Sequence, residues 1–422
     1  METVIKKPKF NFSKLFVIGL GFFGVSVLWS IYNTYVPLLL ANRFSLDAGL
    51  IGFFMTLDNI AALFIQPLVG SWSDRMRSPL GRRLPFILIG APVAAVAFGL
   101  VPLATALPLF VACTVTTILA MAFWRTPVVA LMPDVTPSMY RSQANGIINF
   151  MGGLGVVIGT SVAASLVKVN AAAPFWFGSG LMLFAAVLVL IFVREPKSHQ
   201  PEINDIKPTL LESVKELFSP KNRSGLGIFF AILFWFIAYN AIEAFLSLYG
   251  VNFLGLSESD AGRLITSVSF AFLIFAIPSG FIGAKFGRKK TILTGLVIMA
   301  AVLVAVFVGQ SQNITQVLTK LPLLGNFMPL SILLMLAGIG WSFININSLP
   351  MVVDQTDSSR VGTFTGLYYL FSTLAAILGP IINGQIIRLT GNNYGTIMIL
   401  GPIFFGLAFV AMLTVRKGEA KA

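Results

Sequence analysis

Gln66-Pro-Leu-Val-Gly-Ser-Trp-Ser-Asp-Arg-Met-Arg-Ser-Pro-Leu-Gly-Arg-Arg-Leu-Pro-Phe86 is the stretch from which the fold is read. An apolar run ends at Trp72. A short loop carries Asp74, Arg75, Arg77, Arg82 and Arg83, and Pro85 opens the next apolar run. Four arginines between two hydrophobic runs mark a loop on the cytoplasmic side of a membrane, where positive charge is retained. Asp74 closes the first run, within reach of those arginines or of a neighbouring helix N-terminus. A loop that served topology alone would need neither this acid nor Gly81.

The composition around this loop agrees. Of 422 residues, 56% are hydrophobic and 11% charged, and the mean hydropathy is +0.87. A soluble fold could not bury that much apolar surface, so the chain is a polytopic membrane protein. The net charge of +13 would point to nucleic acid in a soluble protein. Here it is the excess of Lys and Arg in cytoplasmic loops, and no nucleic-acid partner is expected. The one cysteine, Cys113, lies inside an apolar run and forms no internal disulfide. Lys6-Lys7-Pro8-Lys9 precedes an apolar run too long for a signal peptide, which reads as the first span.

A helix needs about 20 apolar residues to cross the hydrocarbon core. By that measure twelve spans are expected, near 15–41, 46–72, 85–105, 108–133, 143–167, 174–193, 225–250, 261–283, 291–309, 329–353, 362–388 and 394–415. With these spans, 23 basic residues fall on the side of the arginine loop and 5 on the other. Both termini are therefore expected in the cytoplasm. The segment 194–223 is the long polar interruption. Thr209-Leu-Leu-Glu212 reads there as a capping box opening a short amphipathic helix, and the lone His199 reads as solvated.

The two halves of the chain repeat. Gly81-Arg82-Arg83 recurs as Gly287-Arg288-Lys289 at an offset of 206, and Asn33 as Asn240 at 207. After a longer loop between spans 9 and 10 the offset is 220, matching Asp134 with Asp354, Gly146 with Gly366 and Gly159 with Gly379. Arg141 matches Arg360 at 219. The second copy of the loop, Ala284-Lys285-Phe286, has no counterpart of Asp74.

The order Gly…Asp-Arg…Gly-Arg-Arg between spans 2 and 3 resembles the signature loop of the major facilitator superfamily. Its longer form here, with Gln66-Pro67 before it and Pro85-Phe86-Ile87 after it, looks like the sucrose–proton symporters of plants and their bacterial relatives. The glycoside–pentoside–hexuronide:cation symporters are a related group. Arg125-Thr-Pro-Val-Val-Ala-Leu-Met-Pro-Asp134, followed by Arg141, Ala144 and Asn145, is similar to the same symporters. The resemblance implies an all-α membrane fold of twelve transmembrane helices in two six-helix pseudo-repeat bundles. Residues 1–193 and 224–422 would form the bundles and 194–223 a cytoplasmic linker. Substrate would lie between the halves near the midplane. The resemblance further implies a multi-pass protein of the bacterial inner membrane that acts as a monomer without a cofactor.

Three ionisable residues lie well inside the expected spans: Asp58, Arg125 and Glu243. A charge at the bilayer centre costs about 2.5–3.5 kcal/mol on insertion scales and is by default a functional group facing the protein interior. An acid held between an apolar surround and an arginine can gain and lose a proton as a site opens and closes. Asp58 and Arg125 are expected to pair if spans 2 and 4 adjoin. By resemblance Arg125 is the functional arginine of span 4, whereas Asp58 has no counterpart in the plant pattern. No His lies in any span, so proton coupling would fall to the carboxylates.

Sugars are recognised by aromatic faces, amides and carboxylates. Candidate substrate residues are Trp29, Asn33, Gln66, Trp124, Trp235, Tyr239, Asn240, Trp341, Asn345, Asn347 and Tyr368. Candidate residues of a cytoplasmic gate are Asp74, Arg75, Gly81, Arg82, Arg83, Asp134, Arg141, Asp354 and Arg360. Gly19-Leu-Gly-Phe-Phe-Gly24 fits a dinucleotide fingerprint only literally, since no strand precedes it. Gly155-Val-Val-Ile-Gly159 reads as helix packing. No metal cluster, nucleophile–base set or phosphate loop is present, which argues against an enzyme. The expectation is a secondary transporter coupling a sugar, such as a disaccharide or glycoside, to a proton or sodium ion. The rivals are an exporter of drugs or metabolites, whose cavity would be mainly apolar, and a membrane sugar sensor that does not transport.

Overall fold

The structure is a computed structural model that describes residues 13–136, 141–195, 223–309, 311–355 and 361–418. The expected amphipathic helix near Thr209 and His199 lie outside the described residues. Twelve helical spans run Leu15–Asn42, Ala48–Arg75, Leu84–Leu103, Leu107–Met132, Gly146–Leu166, Ala173–Phe192, Gly225–Phe253, Glu258–Phe286, Arg288–Val308, Pro329–Val353, Phe364–Leu389 and Tyr394–Leu413. They are numbered 1 to 12. Their apolar length dictates helix, because only a helix satisfies its own backbone in hydrocarbon. Large apolar side chains such as Phe64, Leu68, Ile277 and Phe281 project outward and are exposed, as a lipid-facing surface requires.

Each half packs in the same way. Span 1 lies against spans 4, 5 and 6, and span 7 against spans 11 and 12; span 3 bridges spans 4 and 6, and span 9 bridges spans 10 and 12. The repeat-matched glycines do matching work. A Cβ at Gly159 would meet Val27 of span 1 at 3.2 Å, and one at Gly379 would meet the Ile237 carbonyl of span 7 at 2.6 Å. Small residues at these points let the helix backbones approach closely.

Two features depart from the expectation. Span 2 is two helical segments, Ala48–Phe54 and Leu57–Arg75. Met55 closes the first segment on the Ile51 carbonyl, and the Thr56 hydroxyl donates back to the Phe53 carbonyl at 2.7 Å. The longer loop between spans 9 and 10 contains an antiparallel hairpin, β1 Thr319–Leu321 and β2 Gly325–Phe327. Thr319 pairs with Phe327 and Leu321 with Gly325.

The halves join at the end away from the arginine loop. Span 5 packs on span 8, span 2 on span 11, and span 1 on span 7. Among the described residues, five hydrogen bonds between the halves lie toward that end. Asn33 Nδ2 donates to Glu243 Oε1 at 3.3 Å and Thr266 to Thr160 at 2.7 Å. Ser259 donates to the Ala164 carbonyl at 2.5 Å, Arg263 to Ser165 at 2.9 Å, and Asn42 to Glu258 at 3.5 Å. Arg263 also donates to the Leu323 carbonyl at 3.2 Å, so the hairpin is fastened over this end.

Candidate functional site

The break in span 2 decides how Asp58 is presented. Asp58 falls in the first turn of the second segment, where unpaired amides and the positive end of the helix favour a carboxylate. Asn59 Nδ2 donates to its Oδ1 at 2.8 Å. Spans 2 and 4 do adjoin, but Asp58 and Arg125 are not in ion-pair contact. The two charges therefore act on each other across electrostatic range rather than in contact. The half-buried Asp58 and the exposed Arg125 are electrostatic neighbours facing one space, with Glu243 of span 7 also in range of Asp58. Arg125 additionally faces Tyr369 of span 11, which is 57% exposed. Spans of both halves thus converge on Arg125 in mid-membrane.

Glu243 is reached from span 1 by Asn33. One turn earlier on span 7, Tyr239 stacks on Trp341 of span 10, with ring centroids 3.8 Å apart and planes at 7°. Phe236 meets the edge of Trp341 at 5.4 Å. Trp341 is buried behind this stack, which leaves the half-buried Tyr239 as the ring at the accessible edge. Asn240 donates to its own helix at the Phe236 carbonyl, 2.7 Å away. Tyr368 is buried with its hydroxyl on Ser348 at 3.0 Å, and Asn345 and Gln66 are half-buried. On span 1 the Trp29 indole nitrogen and the Tyr32 hydroxyl are buried without a hydrogen-bond partner among the described residues, and Tyr32 lies in electrostatic range of Asp58.

Four expected substrate residues, Trp124, Asn347, Trp235 and Tyr368, face elsewhere. Trp124 has no exposure. It packs on Gly90 of span 3, and its indole N–H meets the Met121 sulfur at 3.1 Å. Asn347 is buried and donates to the Ser279 carbonyl of span 8 at 3.2 Å and to the Phe343 carbonyl at 3.0 Å, so it joins spans 8 and 10. Trp235 is fully buried in the apolar core. The reason is rotation, because successive helical residues point about 100° apart. Arg125 takes the open face and turns Trp124 away from it, and Asn345 likewise turns Asn347 away. The same rotation makes Tyr369, rather than its neighbour Tyr368, the exposed tyrosine. The sequence signal was the adjacent pair, and nothing in it chose between them.

At the arginine-rich end the charges close a network inside the first half. Asp134 accepts from Arg82 at 2.6 and 3.2 Å and from Arg83 at 3.0 Å. Arg83 is also in close contact with Asp74 and Ser73. Glu195, just after span 6, accepts the backbone amides of Arg82, Arg83 and Leu84, each at 2.8 Å. Gly81 has φ +113°, and a Cβ there would meet the Glu195 carboxyl carbon at 2.6 Å. The second half repeats the pair as Arg288 with Asp354. There Lys289 donates to the Leu413 and Val415 carbonyls at the end of span 12, at 3.0 and 2.6 Å. These contacts brace each half internally. Arg75 is exposed; the side chain of Arg141 and all of Arg360 lie outside the described residues. Among the described residues no cluster of three His, Cys, Asp or Glu could hold a metal ion.

Comparison with known proteins places this geometry in a family. The family model described as Major Facilitator Superfamily matches residues 18–262 and 251–422. The chain is similar to Multidrug resistance protein 2 of Bacillus subtilis (strain 168), 23% identical, covering 96% of this chain and 95% of that one. It is similar to the fosmidomycin resistance protein of Escherichia coli (strain K12), 26% identical, covering 97% and 93%. Among solved structures it resembles the nucleoside transporter NupG with a TM-score of 0.69 at 18% identity, covering 96% of this chain and 99% of that one.

Proposed function

The chain belongs to the major facilitator superfamily and is a secondary transporter of the cell membrane, and we propose that it moves a sugar or glycoside in symport with a proton. The observation that supports this reading is the polar set gathered from both halves. Asn33, Asp58, Arg125 and Glu243 lie around one mid-membrane space edged by the ring of Tyr239. Amide, carboxylate and guanidinium groups make paired hydrogen bonds to ring hydroxyls, and an aromatic face stacks on the apolar face of the ring. Trp29 and Tyr32 supply two further donors that no described protein group uses. Mid-membrane charges are costly and are retained where a pathway needs them.

The excess of basic residues orients the arginine-rich end and both termini toward the cytoplasm. Residues 1–193 and 224–422 then act as the two bundles. With the far end closed by the bonds between the halves, this state is open to the cytoplasm at Arg125. Cycling exchanges it for a state in which those bonds are broken and the arginine-rich ends meet.

A second reading, export of drugs or metabolites, is favoured by the names of the relatives, several of which are resistance proteins. The charged set around Arg125 speaks against a purely apolar substrate. Uptake by the purified chain in proteoliposomes separates the two. Sucrose, maltose and other glycosides should enter when an inward proton gradient is imposed, and Arg125→Ala should abolish that uptake. Movement of a drug panel with no sugar uptake would overturn the proposal in favour of the exporter.

A further inference from the structure

The hydrogen bond between Asn33 and Glu243 is the innermost of the five that join the halves among the described residues. Asn33 stands nine residues before the end of span 1, about 14 Å along a helix rising 1.5 Å per residue. Thr160 stands six residues before the end of span 5, about 9 Å by the same measure. The remaining three bonds involve Asn42, Ala164 and Ser165, each within two residues of the end of span 1 or span 5. Asn33 and Glu243 therefore sit where the closed end meets the space that Arg125 faces.

The two mid-membrane acids differ in what they hold. Asp58 is bonded to Asn59 beside it and to the start of its own helical segment, so a proton arriving on Asp58 changes no bond between the halves. Glu243 accepts from the opposite half. A hydrogen bond to an ionised carboxylate is roughly twice as strong as one between neutral groups. Protonation of Glu243 therefore weakens a link across the interface. Among the described residues, the titratable groups that face Glu243 are Asp58 on span 2 and Tyr239 on its own span. Arg125 faces Asp58 and Tyr369 instead.

We infer that Glu243 is the acid through which proton binding opens the far end, with Asn33 as its positioning partner across the halves. Ionised Glu243 holds span 1 to span 7, and the protonated acid releases them. The assignment rests on the reading of the chain as proton-coupled and is independent of which substrate it carries.

The test uses the full chain in lipid nanodiscs with no sugar present. Spin labels are placed at Val169→Cys and Leu318→Cys in a Cys113→Ser background; both positions are exposed at the far end. The distance between them is followed by pulsed electron resonance over a pH series. Acidification should increase the long-distance population in the parent protein. Glu243→Gln should lose that pH response and stay at the acid-like distribution, Asp58→Asn should keep it, and Asn33→Ala should shift its midpoint. Glu243→Asp, which retains a titratable acid, should respond with a moved midpoint, and it serves if the glutamine variant does not fold. A parent-like response in Glu243→Gln, or a parent that does not respond to pH, would overturn the inference. Failure of sucrose uptake would overturn the sugar reading and leave this result standing.

Discussion

Glu195 is the residue whose importance is clearest once the chain is folded. Its carboxylate satisfies three amides at the start of span 3, donors that a helix N-terminus leaves unpaired. Gly81 gives it room twice over, by adopting a positive φ and by lacking a Cβ. Gly81→Ala should therefore destabilise the loop by about 1–3 kcal/mol, the usual cost of a side chain in a disfavoured backbone region, plus the collision. Glu195→Ala removes the collision along with the cap, so the double variant should lose less thermal stability than the sum of the single losses. Melting of the four proteins in detergent measures this, and strict additivity would refute the contact. Glu195 was legible only as an acid beside Arg194 after a span. Its partners lie more than a hundred positions earlier, and no spacing rule links them.

The two arginine loops are the same element built twice with different strength. In the first half Asp134 holds both Arg82 and Arg83, and its side chain is 11% exposed. In the second half Asp354 holds Arg288 and is 37% exposed. Breaking a largely buried pair leaves a charge uncompensated and costs about 3–5 kcal/mol, whereas exposed pairs contribute up to about 1 kcal/mol. Asp134→Asn should accordingly lower the melting temperature several-fold more than Asp354→Asn. Equal losses would mean that the second loop is braced as firmly as the first. The repeat offsets found the matched acids and arginines, because both halves tie together the same arginine-rich ends. They did not reveal that Lys289 turns to the end of span 12, since backbone carbonyls carry no sequence signature.

For the whole molecule the informative contact is Thr266 on Thr160, a bond of 2.7 Å between spans 8 and 5 of opposite halves. If the transporter alternates by separating the halves at this end, a covalent bond here must stop it. Thr160→Cys with Thr266→Cys, in a Cys113→Ser background, should form a disulfide under mild oxidation. Transport should then be blocked, and restored by reductant. Full activity in the cross-linked protein would exclude opening at this end from the cycle.

Twelve spans, two repeated halves and three mid-membrane charges followed from the sequence alone. Apolar runs of this length have no other stable place than the bilayer, and a charge within them is too costly to be incidental. What the tertiary structure decided is direction. A span that is apolar all round carries no amphipathic stripe, so the sequence does not say which face meets lipid, a neighbouring helix or the central space. That is why Trp124 and Asn347 turned away while Arg125 and Tyr369 turned in. It is also why the break ahead of Asp58, which no Pro or Gly in Phe53-Phe-Met-Thr-Leu57 announces, had to be seen. The bond from Asn33 to Glu243 joins residues 210 positions apart. It exists because the two halves pack against each other at one end and bring an amide of one against an acid of the other.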